Sequence, residues 1–366
     1  MKDIRRKIVR ITSMTGLSML TAAAAVAGDR PLTVVSWGGS YARACVKGYH
    51  ESFTAETGIA INLEDYNGGL AQIRAQVDVG NVYWDVVDLE IPDLVRGCDE
   101  GLLEPVSVGS LPPGADGTPA AEDFVPGTLT DCGPATIFYS TVYAYNKENI
   151  KGEKPATIAD FFDLEKFPGR RGMRRSPLVN LEFALMADGV PIDSVYATLD
   201  TPAGVDRAFR KLGTIKEHIV WWEAGAQPPQ MLADGEVVMS TAYNGRIFNA
   251  QVLEDQPFVV VWDGQVLDTG GLAIVAGTPN LETARKFVNF ATSARAIAGV
   301  GRYISYSPTR RSAMPLISTH AEKGVDMNPH MPTSPQNVKR ALHNNWEWWS
   351  DHLDEMNERF SAWLAR

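Results

Sequence analysis

The chain has 366 residues, with 34 basic against 44 acidic side chains and a formal charge of -10 at pH 7. That length exceeds one ordinary hydrophobic core and predicts two domains, while a surface of this sign repels phosphate backbones and anionic lipid and so argues against either as the main partner. Three cysteines without CxxC spacing and six histidines without short ligand spacing give no foothold for a zinc knuckle, a thiol redox pair or any other metal or cofactor.

The first segment is read as a secretory signal peptide, residues 1–27. Lys2, Arg5, Arg6, Lys7 and Arg10 precede an apolar stretch from Met14 to Ala27, and Ala25-Val26-Ala27 has the small-x-small pattern that signal peptidase accepts. The stretch is shorter than the roughly 20 residues a bilayer-spanning helix needs. Cleavage before Gly28 is expected to leave the chain in the periplasm, and the leader takes five basic residues and one acidic one with it, so the remainder is more acidic still. No cysteine stands at the cleavage site to carry a lipid anchor.

From there strands and helices alternate. Residues 32–37 read as a buried strand, Gly38-Gly39 as a turn, and 41–57 as a helix; 59–66, 69–79, 83–89 and 93–100 repeat strand, helix, strand, helix. A loop rich in Pro and Gly covers 110–119. A second set follows: a strand over 136–145, a helix over 158–162, a short strand near Gly172, helices near 181–187 and 202–218, and strands over 237–240, 258–262 and 271–275. A long helix is predicted over 281–298, then a linker at 328–335. In the last segment Trp346, Trp349, Leu353, Met356, Phe360 and Trp363 recur at intervals of three or four, the stripe of one helix packed onto a core and not an aromatic cage. Alternation throughout predicts an α/β class with two lobes. Cys98 follows an apolar helical run and Cys132 sits in a turn before a strand, so these two are expected to pair as a disulfide and leave Cys45 as a small apolar residue on a helix face, with three unpaired buried thiols as the alternative.

Several segments together resemble a family. They are Val35-Ser36-Trp37-Gly38-Gly39-Ser40-Tyr41, Trp84-Asp85-Val86-Val87, Gly101-Leu102-Leu103-Glu104-Pro105, Val142-Tyr143-Ala144-Tyr145-Asn146, Pro155-Ala156-Thr157, Phe167-Pro168-Gly169-Arg170-Arg171-Gly172, Leu232-Ala233-Asp234-Gly235-Glu236-Val237, Gly271-Leu272-Ala273-Ile274 and Tyr306-Ser307-Pro308-Thr309. In this order the chain resembles the extracellular solute-binding proteins of ABC importers, and within them the spermidine/putrescine-binding branch. The resemblance implies a two-lobed periplasmic binding protein of the type II, Venus-flytrap kind, with two hinge strands near 139–145 and 266–271. Lobe 1 would comprise 28–139 and 266–305, lobe 2 140–265 and 306–366. A small solute would sit in the cleft, the lobes would close over it, and the membrane permease of the transporter would be the partner of a monomeric protein.

Candidate ligand contacts follow from position. Trp37 and Tyr41 lie at the carboxyl end of the first strand, where open α/β sheets receive ligands, and the resemblance puts aromatic contacts there; an aromatic face attracts an ammonium group by about 0.5–2 kcal/mol. Simple lobe packing is their competing explanation. Glu90 follows the third strand, as a contact for an amine or as an ordinary exposed acid. In the other lobe Trp221, Trp222, Tyr243, Asn244 and Arg246 match cleft positions of the family in outline. Asp268, before the returning hinge strand, is the acid best placed to meet a cation, with a hinge salt bridge as the alternative.

The polyamine branch lines its cleft with several acids, whereas here Asn244, Arg246, Arg174 and Arg175 occupy or adjoin the matching regions. A guanidinium fork suits a carboxylate, so a polyamine is the first expectation and a zwitterion carrying amine and carboxylate, such as 4-aminobutyrate, the alternative. Tyr303 and Tyr306 are not neighbours, which disfavours an iron carrier. No GxSxG, HExxH, GxxxxGK[ST] or GxGxxG is present, so an exported hydrolase lacks its footholds, and a ligand sensor subunit is the remaining reading of another class.

Overall fold

The computed structural model describes residues 30–366; the expected leader and its cleavage site lie outside the described residues. The strands in chain order are β1 Leu32–Ser36, β2 Ile61–Asp65, β3 Val86–Glu90, β4 Leu129–Thr130, β5 Gly133–Asn146, β6 Arg171–Arg174, β7 Ile219–Trp222, β8 Met239–Tyr243, β9 Phe258–Ile274, β10 Ser307–Pro308 and β11 Leu342–His343. Eight of them form one path, β2-β1-β3-β9-β5-β8-β6-β7, with β4, β10 and β11 attached to β5 and β9. This is an α/β mixed sheet.

The path has two parallel wings, β2-β1-β3 and β8-β6-β7. Between them runs the antiparallel pair β5 and β9, whose 14 and 17 residues are long enough to serve both wings. Residues 270–274 of β9 pair with β3, and residues 141–145 of β5 pair with β8. The register between β5 and β9 shifts between Thr141/Val266 and Tyr143/Val261, so β9 carries the extra residues of a bulge. Gly264 sits in that bulge with φ +71, and a Cβ there would lie 3.0 Å from Ile158. Two sequence strands, 258–262 and 271–275, are therefore one continuous strand, because glycine lets it bend without ending.

The inner strands of each wing are buried on both faces, so successive residues enter cores on opposite sides. In the first, Val34, Val86, Leu272 and Ile274 meet Tyr49, Phe53 and Phe287 on one face, while Val35, Val87, Leu89 and Ala273 meet Ile73 and Leu94 on the other. In the second, Tyr143, Met173 and Met239 pack on Phe161, Leu181 and Leu212, and Ala144, Trp222 and Ala242 pack on Leu232 and Ile247. The terminal helix Trp346–Leu364 lays Trp349, Met356 and Phe360 into the second wing's core. By contrast Ala313, Ile317, Met327 and Met331 pack with Phe124, Ile297 and Phe248, and β10 pairs with residues 137–138 of β5.

The predicted helix over 281–298 is two helices, Leu281–Ala291 and Ala294–Gly301. The Thr292 hydroxyl donates back to the Val288 carbonyl, and the Ser293 hydroxyl caps the next helix by accepting from the Ala296 N–H, so two short polar side chains stop one helix and start another. Cys98, in the helix Ile91–Asp99, is disulfide-bonded to Cys132 just before β5, with their Cα atoms 5.6 Å apart; Cys45 is buried and free. Among the described residues no helix is long and apolar enough to cross a membrane, and no group of three or more His, Cys, Asp or Glu is placed to hold a metal ion.

Candidate binding site

The carboxyl ends of β1 and β3 from the first wing and of β8 from the second converge on one cavity with about 350 Å³ of space, part of it open to solvent. Trp37, Tyr41, Asp88, Glu90, Tyr243 and Arg246 line it, together with Ile137 and Tyr139 of β5, Gly270 of β9 and Tyr306. Its walls are a linked set of rings: Tyr41 lies 5.6 Å from Tyr306, Tyr306 6.0 Å from Tyr139, and Tyr139 5.4 Å edge-on to Tyr243. Trp37 is backed by Tyr66 at 5.1 Å. Such a box offers negative ring faces to a cation and apolar area to a hydrocarbon chain.

Asp88 is the chemical centre of the box. It stands in the middle of β3, only 1% exposed, and neither carboxyl oxygen has a hydrogen-bond partner. Burial pushes its carboxyl up to about 7; the Tyr41 hydroxyl and the Trp37 indole face it and moderate the shift without completing a hydrogen bond. A buried charge without a partner is costly, and structures retain one where something else supplies the partner. Gly270, paired with Glu90 on the neighbouring strand, leaves the space beside Asp88 open; a Cβ there would stand in contact with Asp88 Oδ1 at 3.7 Å.

Arg246 faces the same space from the first turn of the helix Asn244–Leu253. Its Nη1 donates to the Gly38 carbonyl at 2.6 Å and its Nη2 to the Trp37 carbonyl at 3.0 Å, while Nε is buried with no partner. A guanidinium carries five N–H donors, so after these two bonds it retains the capacity to hold a carboxylate. The Gly38-Gly39 turn makes the approach possible. Both residues have positive φ, +62 and +56, and a Cβ on Gly39 would stand 2.6 Å from Arg246 Nη1.

The second acid, Glu90, is already taken. Its Oε1 accepts from Arg174 Nη1 at 2.8 Å and from the Tyr139 hydroxyl at 3.4 Å. Burial works against the charge on Arg174, but Glu90, Tyr243 and Tyr139 more than offset this and hold its pKa above the usual value.

Of the residues singled out in the sequence, the structure brings Trp37, Tyr41, Glu90, Tyr243 and Arg246 together in the cavity and leaves four outside it. Trp221 and Trp222 are neighbours on β7 and must face opposite ways. Trp221 turns to the terminal helix, 5.5 Å from Phe360 and 6.2 Å from Trp363, and Trp222 is buried edge-on to Tyr243 at 5.6 Å, a layer behind the wall. Asn244 is a staple between chain segments: its Oδ1 accepts from the Ser140 N–H and its Nδ2 donates to the Ser305 carbonyl. Asp268 is buried, and both its oxygens are engaged, Oδ1 by the Thr269 N–H at 2.7 Å and Oδ2 by Asn344 Nδ2 at 2.5 Å.

Sequence reading missed Asp88, Ile137, Tyr139, Gly270 and Tyr306. One signal was available for the first: a charged residue inside the apolar run Val86-Val87-Asp88-Leu89 is anomalous for a strand buried on both faces.

The fold and the chain's relatives agree. The model of the family described as bacterial extracellular solute-binding protein matches residues 48–333. The gamma-aminobutyric acid-binding protein of Pseudomonas aeruginosa is 43% identical over 354 residues, 97% of this chain and 96% of its own. Among solved structures, the binding protein MotA of A. tumefaciens B6, in complex with glucopine, superposes with a TM-score of 0.83 at 28% identity over 92% of this chain and 100% of its own. The Atu4243 GABA receptor does so with a TM-score of 0.77 at 30% identity over 92% and 98%. The spermidine/putrescine-binding protein of Streptococcus pneumoniae is 17% identical over 92% and 99%, with a TM-score of 0.65, a likeness of fold alone, so the branch suggested by the sequence motifs gains no support from it. A two-lobed fold with a cavity where its two wings meet, together with relatives matched over nearly their whole length, makes this chain a member of the bacterial extracellular solute-binding proteins, the substrate-binding component of an ABC transporter and not an enzyme.

Proposed function

We propose that the ligand is a short zwitterion with an amine at one end and a carboxylate at the other, of which 4-aminobutyrate is the type. The observation that carries this reading is the pair of unsatisfied opposite charges in one aromatic cavity: Asp88 with both oxygens unpartnered, and Arg246 with a buried Nε unpartnered. An ammonium group would satisfy the first and rest against the tyrosine faces; a carboxylate would satisfy the second. Tyr41, Trp37, Tyr139, Tyr243 and Tyr306 would enclose the methylene chain. The P. aeruginosa relative and the Atu4243 receptor, both named for this ligand, support the same choice.

A polyamine fits less well, because it carries positive charge at every nitrogen. Glu90 is neutralised by Arg174, which leaves one free acid beside an uncompensated arginine. The two wings would act as lobes, divided by the strands crossing near 139–145 and 266–271, with the ligand stabilising the shut form by touching Asp88 of one and Arg246 of the other. The shut form would be presented to the permease in the periplasm after removal of residues 1–27.

A thermal-shift and calorimetric comparison of 4-aminobutyrate, putrescine, spermidine, betaine and common amino acids tests this. A ligand at about 100 times its Kd adds roughly 2.7 kcal/mol to the folded state, so 4-aminobutyrate should raise Tm by several degrees and the polyamines should not. Stabilisation by polyamines alone would overturn the assignment.

A further inference from the structure

Beside the inner cavity lies a larger and wetter one, with about 1190 Å³ of free space open toward solvent. Asn67, Arg74, Asp93, Arg175, Ser176 and Glu223 are among its lining residues, so its character is polar where that of the inner cavity is aromatic. Glu90 lines both. Arg174, its partner, lines the outer cavity, and the Arg174 guanidinium lies 6.0 Å from the ring centre of Tyr243, which walls the inner one. The ion pair between them, 2.8 Å long with side chains only 14% and 17% exposed, is thus built into the boundary of the two spaces. Its halves come from the ends of β3 and β6, one in each wing, and the Tyr139 hydroxyl braces Glu90 from the inner side.

We propose that the Glu90–Arg174 pair is a specificity-determining partition that confines the ligand to the inner cavity and so selects short amine–carboxylates over longer ones. This rests on the ligand class proposed above. A four-carbon zwitterion held by Asp88 and Arg246, which line the inner cavity together, would leave the pair intact. A longer one reaching into the outer cavity would send a charged end past Glu90 and Arg174, and each of those largely buried groups would then lose its partner while the ligand is still being desolvated. Specificity of this kind works by penalising the wrong ligand, which no added contact to the right one achieves.

The experiment is a length ladder measured by calorimetry on the full-length processed protein with 4-aminobutyrate, 6-aminohexanoate and 8-aminooctanoate. The wild type should bind the first at least 30-fold more tightly than the last. In the double variant Glu90→Ala/Arg174→Ala, which removes both charges together, that ratio should shrink tenfold or more, whatever happens to the absolute affinity for the short ligand. Glu90→Gln/Arg174→Gln, closer in shape, gives the same readout if the alanine pair does not fold. A ratio unchanged in a folded double variant, or a wild type indifferent to length, overturns the partition while leaving the ligand class standing. A wild type that binds none of the three overturns the ligand class and the partition with it.

Discussion

Asp88 of β3 and Asp268 of β9 are two carboxylates buried in neighbouring strands of one sheet, and burial pushes both up to about 7. Their surroundings differ in one respect. Asp268 has a donor on each oxygen, from Thr269 and Asn344, whereas Asp88 has only the Tyr41 hydroxyl and the Trp37 indole facing it, neither within a completed hydrogen bond. The first is held inside a finished hydrogen-bond network, and the second is an open valence at the wall of a cavity. Burial and a raised pKa therefore do not separate the two acids; the unmade hydrogen bonds of Asp88 do, and they are the ground for proposing it as the ligand's acid.

The largest consequence is expected at Asp88. In Asp88→Asn the affinity for 4-aminobutyrate should fall on the order of a hundredfold, since a hydrogen bond between two charged groups in a buried site is lost, worth up to about 3 kcal/mol. The ligand-free protein should move the other way and become more stable. The folded carboxyl titrates near 7 against about 3.9 in an unfolded chain, so the stability contributed by its neutral form is complete below about pH 4 and is lost as pH rises through 7. Melting curves should therefore show the variant above the wild type at pH 8 and level with it near pH 4. A variant that binds normally would remove Asp88 from the site.

A smaller effect follows for the wild type itself. An ammonium ligand needs Asp88 ionised, and the ionised fraction falls about tenfold for each pH unit below 7. Calorimetry from pH 8 to pH 6 should show the affinity for 4-aminobutyrate dropping roughly tenfold, with protons released on binding near pH 6, and Asp88→Asn should show no such slope. A flat wild-type profile would mean that the amine goes elsewhere.

How much of this was legible in the sequence depended on whether the cue was local. The strand ending in Trp37, the Gly38-Gly39 turn and Tyr41 sit within ten residues, and their place at the carboxyl end of a strand follows from pattern alone. The tryptophan stripe of the last helix was readable for the same reason, and Trp349, Met356 and Phe360 are in the core. Asp268 looked like the ligand acid because its partner Asn344 is 76 residues away and invisible to pattern. Tyr139 and Tyr306 were missed because they reach the cavity only once β10 is paired to β5. Trp221 and Trp222 face opposite ways from one strand and neither lines the cavity, because the terminal helix covers the first and Tyr243 stands between the second and the cavity, contacts that no local pattern shows.

The smallest effect, and the one that tests the comparison most directly, lies outside the cavity at Asn344→Ala. That change removes the donor on Asp268 Oδ2 and makes Asp268 resemble Asp88, a buried carboxyl with an unsatisfied oxygen. The cost should be about 1–3 kcal/mol, the usual penalty for orphaning a buried polar atom. It should also depend on pH in a defined direction. Losing a donor to the charged form raises the folded pKa of Asp268 further above its unfolded value, so the loss of Tm should be small near pH 5, where the group is neutral in the folded protein, and larger at pH 8. Affinity for 4-aminobutyrate should stay within about threefold, because Asp268 does not line the cavity and the wall residues that feel its charge are Tyr139 and Glu90. If the affinity instead rose or fell by tenfold while the fold held, the division between a finished acid and an open one would be wrong, and both carboxylates would belong to the ligand.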